Sequence, residues 1–591
     1  MTFQELSRYF EEIEKTASRL SITHLLADLF TKLNPEELQS TVYLLQGRVV
    51  PLYEKIEFGM AEKMVSRSVL HALQLDSVDF AKQLGQIGDL GKTTEHFKRE
   101  IISFEEKPLP VYEVYKELYR MATLNGAGSQ DTKMKILAHL ISQLDALACR
   151  YIVRIPIGAM RLGFSDMTVL DAYSWMVGGD KQYRPLIEKA YHVRPDLGHI
   201  GRLIKEEGIQ ALEAIQPTLF TPIIMMRAER LSSAEEIIEK IGECIIEPKY
   251  DGFRLQVHYR RATGEVKLFS RNLEEVSEMY PDLIEGVRKE VNANEIIFEG
   301  EALGFDPNAR TFLPFQETVQ RKRKYGIEEK AKEIPLKIFA FEMLYLDGKS
   351  YLTIPCSERR RTMEEYLVQK GDVFEDTVLI APDIVSGDAK QVELFFDDAI
   401  TKGLEGVIAK KKDGIYQPGA RGWNWIKFKR SYSSKIEDTI DCLVMGYDWG
   451  KGKRAEFGIG AFLVGLYDED NDIFKTVAKI GTGLTDEEWR ELKRLCDEQI
   501  TDSKPALYEV DKQMAVDVWV APFLVVEIKA DEITRSPVHT AGRIMKASKS
   551  GNALEVDVPG YALRFPRLKH FRYDKRPQDV TTLKEIEAIK K

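Results

Sequence analysis

Apolar residues recur at helical spacing through the first third of the chain. Leu20, Ile22, Leu25, Leu26, Leu29 and Phe30 mark one such face, and Met134, Ile136, Leu137, Leu140, Ile141 and Leu144 mark another. Pro35 and Glu36-Glu37, following Asn34, predict a helix start. Strand-like alternation is scarce before about residue 215. The segment from Arg154 to Phe164 interrupts the pattern with a proline, two glycines and two arginines, Arg154 and Arg161. That composition fits a plain interhelical loop, or backbone left open for close approach to an anion.

The pattern changes where Gln216-Pro217 and Thr221-Pro222 punctuate the chain. From about 240 to 430 the chain reads as strands with helices between them. Strands are expected at Glu265 to Arg271, Glu295 to Ala302, Leu336 to Leu346, Gly406 to Lys410 and Trp425 to Lys429. A polar stretch near Ser431 to Asp438 sets a second boundary. Beyond it, Cys442 to Tyr447, Gly460 to Leu466, Phe474 to Ile480 and Leu524 to Ala530 are short strands at barrel-like spacing. A short helix is expected from Thr582 to Lys591.

Around Lys249 the alternation becomes chemistry. Cys244, Ile245 and Ile246 form a β-like run, Asp251-Gly252 signals a turn, and Phe253, Leu255, Val257 and Tyr259 alternate with polar residues. This predicts a hairpin with Lys249 at its mouth, beside a carboxylate and Arg254. A confined lysine can serve as a nucleophile. Taken alone, Lys-x-Asp-Gly fits a surface turn equally well.

Composition narrows the class. The 591 residues exceed one core, so two to four domains are expected. There is no run of about 20 apolar residues and no signal-peptide core, so neither a membrane span nor export is expected. The five cysteines lie far apart, which argues against a Cys-x-x-Cys zinc site and a disulfide framework and fits a reducing, cytoplasmic setting. The net charge of −10 does not by itself suggest nucleic acid, but clustering matters more than the sum.

Charged residues also sit on strands where core patterning does not require them. Glu299 and Glu301 share one strand face, and Glu405 precedes an apolar strand ending in Lys410. Lys427 and Lys429 share a face, as a solvated edge or as a binding surface. Carboxylates of this kind suit Mg²⁺, which takes few protein ligands beside substrate phosphates. The segment from Arg564 to Arg576 interleaves basic and aromatic residues, as a solvated tail or a nucleic-acid surface. Together these groups suit nucleotidyl transfer through a covalent lysine phosphoramidate.

The order of these residues resembles the ATP-dependent DNA ligases of the archaeal and eukaryotic replicative type. Lys249-Tyr250-Asp251-Gly252-Phe253-Arg254 resembles the nucleophile motif, Phe269-Ser270-Arg271-Asn272 the next, and Phe298-Glu299-Gly300-Glu301-Ala302 the carboxylate motif. Phe339 to Tyr345, Glu405 to Lys410, Trp425 to Lys429 and the basic C-terminal cluster follow in the family's order. Gln46 to Pro51 and Gly158 to Gly163 resemble segments of its helical domain. Glu342 stands where aspartate is usual, and Met226-Arg227-Ala228 replaces a more familiar segment.

The resemblance implies an all-α N-terminal DNA-binding domain (1–216), an α+β nucleotidyltransferase or adenylation domain (217–432) and a C-terminal β-barrel OB-fold (433–591). It implies that Lys249 attacks ATP and that the AMP passes to the 5′-phosphate of a nick. It places Phe341 on adenine and Glu247 at the adenine edge. Arg254 and Arg271 hold ribose and phosphate. Glu301 and Glu405 support ribose or Mg²⁺. Arg421, Lys427 and Lys429 take the α-phosphate, with Lys410 completing the pocket. Arg572 and Lys575 meet the departing pyrophosphate, and Arg154 and Arg161 contact the duplex. Expected partners are nicked double-stranded DNA and a sliding clamp, and the expected state is a monomer. Ile102 and Phe104 are the candidate clamp anchors, or pack on the protein's own helices. RNA ligases and capping enzymes share the lysine motif, but the long helical region argues against them. A non-catalytic DNA-binding scaffold is disfavoured by the intact Lys249, Glu301, Glu405 and Lys427 set, and an NAD-dependent ligase by the missing cysteine zinc site.

Overall fold

The computed structural model describes residues 1–101, 106–323, 325–367, 374–402, 404–429, 439–450, 456–481, 483–547 and 554–590. The expected clamp anchors, Ile102 and Phe104, and the second expected boundary, at 432, lie outside them.

Helices run from Phe3 to Glu207, followed by a 3-10 turn at Ile209–Ala214. Local chemistry sets their ends. Asn34 accepts a hydrogen bond from the Glu37 N–H while the Glu37 carboxylate accepts one from the Asn34 N–H, and Pro35 opens the helix Pro35–Leu45. Phe3, Phe10, Leu26, Phe30, Tyr151 and Tyr173 meet in a single buried core. Apolar stripes at helical spacing therefore become one packed body.

The middle region contains two sheets. The first has five strands in the order Arg227–Leu231, Arg421–Lys429, Gly406–Lys411, Cys244–Lys249, Ile384–Ser386. The second has seven, built on Glu265–Ser270, Phe253–Arg260, Glu295–Asp306 and Leu336–Leu346 side by side. Leu336–Leu346 is buried along almost its whole length, with strands paired on both edges and the helices Cys356–Tyr366 and Pro281–Glu290 packed against it.

One sequence expectation fails here. Cys244–Lys249 and Phe253–Arg260 do not form a hairpin. The first pairs with Gly406–Lys411 and Ile384–Ser386, the second with Glu265–Ser270 and Glu295–Asp306. The Asp-Gly step therefore carries the chain from one sheet to the other. A Cβ on Gly252 would lie 2.4 Å from the Ala302 carbonyl oxygen, so only glycine permits this crossing. Lys249 sits at the junction of two sheets, where a cleft can open.

Among its described residues the C-terminal region holds an eight-stranded, mostly antiparallel sheet and two two-stranded ones. Thr439–Asp448 pairs with Ala461–Asp468, Val518–Val520 and Val525–Lys529, and Arg567–Phe571 adds to the last of these. The helix Leu583–Lys590 leaves this sheet and packs against the strand Arg227–Leu231 of the middle region. The helical region also touches the C-terminal sheet. Arg19 pairs with Asp472 at 2.8 Å, Ser165 donates to Asp472 at 3.2 Å, and Lys92 pairs with Asp502. Among the described residues no helix is long and apolar enough to cross a membrane.

Candidate active site

Three strands converge on Lys249. In the antiparallel register Gly406 lies opposite both Lys249 and Lys429. The Glu405 N–H donates to the Lys249 carbonyl at 3.2 Å, which sets the Glu405 side chain beside both ammonium groups. Glu405 pairs with Lys249, and with Lys429 at 2.7 Å. Gly406 has φ of +143°, and a Cβ there would meet the Phe428 carbonyl oxygen at 2.2 Å. The close approach of these strands thus depends on that glycine. Burial opposes charge on Glu405, but Lys249 and Lys429 outweigh it and hold the carboxyl well below its usual range. Burial, with Glu405 nearby, raises Asp251. Burial pushes Glu301 up to about 7 against the pull of Lys249 and Arg254. Glu301 has no hydrogen-bond or ion-pair partner among the described residues.

A cavity of about 340 Å³ opens beside Lys249, and its two ends differ in chemistry. One end is aromatic and apolar, lined by Phe341, Trp425, Ile408 and Tyr250. Phe341 and Trp425 meet edge to face at 6.0 Å. The Arg254 guanidinium lies 5.4 Å from the Phe341 ring centre and the Lys410 ammonium 5.1 Å. Arg254 is also anchored, at 2.8 Å, to the Met226 carbonyl and to the fully buried Glu299. Glu247, 3% exposed, forms the polar wall of this end and pairs with Lys410 at 2.8 Å.

The other end is cationic. It gathers Arg271, Arg421, Lys427, Lys429, Arg572 and Lys575. Several carboxylates are already seated on these cations. Glu585 takes Lys427, and Arg421 at 2.8 Å; Asp441 takes Lys575; Asp574 takes Arg572 at 2.8 Å; Asp579 lies 3.5 Å from Arg271. Burial pushes Lys427 down to about 8; Glu585 pulls the other way, and Arg421 and Lys429 add to the fall.

The structure thus brings Glu247, Lys249, Arg254, Arg271, Glu301, Phe341, Glu405, Lys410, Arg421, Lys427, Lys429, Arg572 and Lys575 to one cavity. Arg154 and Arg161 lie elsewhere. Arg154 is 1% exposed and grips Glu14 at 2.9 Å and Asp89 at 3.0 Å, and Arg161 takes the other oxygen of Asp89 at 2.9 Å. In this arrangement Arg154 ties helices together and has no access to a duplex backbone. Glu342, the departure from the usual aspartate, does not line the cavity. It makes a buried two-point pair with Arg359, at 2.6 and 2.8 Å. Sequence reasoning put Trp425 in a pocket motif without giving it a role, and missed Glu585 and Asp579 as cavity-lining residues. Trp425 was legible as an aromatic two residues before Lys427. Glu585 and Asp579 carry no local signal.

Comparison with known proteins places this geometry in a family. Family profiles match along the chain: "DNA ligase N terminus" over residues 2–174, "ATP dependent DNA ligase domain" over 225–429 and "ATP dependent DNA ligase C terminal region" over 455–575. The chain is 46% identical over 587 residues to the "Probable DNA ligase" of Dictyoglomus thermophilum, covering 99% of this chain and 97% of the relative. It is 40% identical over 589 residues to "DNA ligase 2" of Korarchaeum cryptofilum, covering 99% and 96%. It is 39% identical over 607 residues to the "DNA ligase" of Hyperthermus butylicus, covering 99% and 96%. The protein belongs to the ATP-dependent DNA ligases. It has the family's N-terminal helical, adenylation and C-terminal regions, and it is an enzyme that acts on nicked DNA.

Proposed function

We propose that Lys249 is the nucleophile that carries AMP between ATP and the nick. The observation that supports this most directly is its position between an aromatic slot and a ring of cations, with Glu405 holding its side chain. Lys249 Nζ attacks the α-phosphorus. The N–P bond forms, the bond from that phosphorus to the β-phosphate oxygen breaks, pyrophosphate leaves, and the amine sheds its proton to solvent. An oxygen of the 5′-phosphate then displaces the lysine from AMP. Finally the 3′-hydroxyl attacks that phosphate, closes the phosphodiester and releases AMP. Each step is phosphoryl-type transfer, in which positioning and charge neutralisation dominate.

The aromatic end takes the base, with Phe341 stacked on adenine and Glu247 at its edge. Arg254 and Arg271 hold the ribose and phosphate. Arg421, Lys427 and Lys429 take the α-phosphate, and Arg572 and Lys575 take pyrophosphate. The unpartnered carboxyl of Glu301 fits a ligand for Mg²⁺ or for ribose, with Glu405 beside it. When bound, Mg²⁺ neutralises developing phosphate charge, and the residues that would hold it are Glu301 and Glu405.

We read the domains as 1–216, 217–432 and 433–591, the last an OB-type barrel that acts as a mobile lid. We read the protein as a cytoplasmic monomer that engages nicked duplex DNA and a sliding clamp. The test of the reaction is incubation with ATP labelled at the α-phosphate. Covalent label on wild type that is lost in Lys249→Ala supports this reading, and label retained in that variant overturns it.

A further inference from the structure

Among the described residues Glu247 is the carboxylate that walls the aromatic end of the cavity, and both of its oxygens are held. Lys410 takes Oε2 at 2.8 Å, and Arg360 donates to Oε1 at 2.9 Å. Arg360 lies on the helix Cys356–Tyr366 and does not line the cavity. It is itself fixed on every side. It donates to the Ala381 carbonyl at 2.6 Å and to Glu364 at 2.7 Å, and pairs with Asp383 at 2.8 Å. A guanidinium tied at four points cannot follow a moving carboxylate. It therefore sets where Glu247 sits.

The hydrogen-bond sense of that carboxylate matters for the base. An ionised carboxylate only accepts, whereas a protonated one also donates. On the edge that distinguishes the purines, adenine presents an amino group and guanine a carbonyl. An ionised, fixed Glu247 accepts from the amino group and repels the carbonyl. The groups that face Glu247 are Lys410 from the neighbouring strand, Arg360 from the helix, Glu342 from the second sheet, and the uncharged Tyr250 and Cys356. Burial raises the Glu247 carboxyl above its ordinary value, Glu342 adds to this, and Lys410 and Arg360 are the two cations that counter it.

We infer that Arg360 is a specificity-determining positioning residue: by pinning Glu247 from behind, it presents the base with a fixed acceptor and selects adenine over guanine. The inference rests on the reading that the aromatic end of the cavity receives the base. Without Arg360 the carboxylate loses one of two cations and its anchor. It can then take up a proton, donate to a guanine carbonyl, and blur the selection.

The test uses the full-length chain and measures the rate of covalent lysine labelling by α-labelled ATP and GTP across about pH 6 to 9. In Arg360→Gln the ratio of GTP to ATP labelling should rise at least tenfold, with the largest rise at low pH. Arg360→Lys, which keeps the charge, should recover part of the selectivity. A merely structural role would lower both rates together and leave their ratio and pH dependence unchanged, and that result overturns the proposal. If Arg360→Gln fails to fold, Glu247→Gln decides, because an amide both donates and accepts. Its GTP to ATP ratio should also rise, and a wild-type ratio overturns the proposal. Failure of the underlying reading is distinct: Phe341→Ala would then keep the wild-type KM for ATP in lysine labelling, whatever Arg360→Gln does to the ratio.

Discussion

Glu585, on the C-terminal helix, and Lys427, on a strand of the adenylation region, face each other across the mouth of the cavity, and the same carboxylate takes Arg421. The helix thus sets an anion where the proposed α-phosphate site lies. On the proposed function, ATP and Glu585 would compete for the same cations. Glu585→Gln keeps the side chain's size and removes its charge. It should lower the KM for ATP in self-adenylation by roughly tenfold, on the order of 1.4 kcal/mol for one partly desolvated pair. A titration of labelling rate against ATP checks this, and an unchanged KM in a folded variant excludes competition.

Lys249→Ala should abolish both self-adenylation and sealing of a nick that carries an ordinary 5′-phosphate. The side chain is held by Glu405, and its neighbour Lys429 is held by the same carboxylate. If Lys429 could replace it, residual label would appear at Lys429 on peptide mapping. None is expected.

Phe341→Ala should weaken ATP use by about 1–3 kcal/mol, the value of a base–aromatic contact. Sealing of a pre-adenylated nick should suffer less. Equal losses in the two assays would mean that Phe341 serves only to pack against Trp425.

Glu301 gives a prediction in pH. Burial raises its folded carboxyl to about 7 from an ordinary 4.5. Between those values the folded chain keeps a proton that the unfolded chain has released. Stability from this group therefore falls as pH rises across that window and levels off above it. Glu301→Gln cannot titrate, so its Tm relative to wild type should climb from about pH 5 to pH 8. A flat difference would show that the carboxyl stays in its ordinary range.

Arg19 and Asp472 join the helical region to the C-terminal sheet at 2.8 Å. Both are mostly shielded from solvent, so breaking the pair should cost roughly 1–2 kcal/mol of closed-state stability. Asp472→Asn should increase the radius of gyration of the DNA-free protein in small-angle scattering, and added salt should do the same to wild type. If neither expands the particle, the contact does not govern closure.

Much of the layout was legible locally. Leu336–Leu346 matches its expected span because a long apolar run between polar flanks has one reading. Glu295 to Ala302 fell short of the observed Glu295–Asp306, since Gly304 hides the continuation. Strand partners were not legible. The Asp-Gly step suggested a hairpin, and only long-range pairing reveals that its two arms belong to different sheets. The site divides the same way. Lys427 and Lys429 announced themselves as polar breaks in strand pattern, whereas Phe341 lies in an apolar run and was singled out only by the family resemblance. Arg360 sits on a helix rich in charge and reads as solvated surface, while its partner Glu247 lies far upstream. Arg154 resembled a phosphate ligand because its partners Glu14 and Asp89 are remote in sequence.

The two sheets of the adenylation region differ in how they are strung together, and this bears on the order in which they form. The core of the seven-stranded sheet follows the chain closely, with Phe253–Arg260 turning directly into Glu265–Ser270 and Glu295–Asp306 coming next. The five-stranded sheet pairs Cys244–Lys249 with Gly406–Lys411, and Arg227–Leu231 with Arg421–Lys429, across nearly the whole region. Loop closure makes such distant pairings slow. The strand that carries Lys249 thus waits for a sheet that lies between it and its partner in the sequence. Nucleotide-binding competence should be the last property a refolding chain acquires. In native-state hydrogen exchange, the amides of Gly406–Lys411 should open at lower free energy than those of Phe253–Arg260.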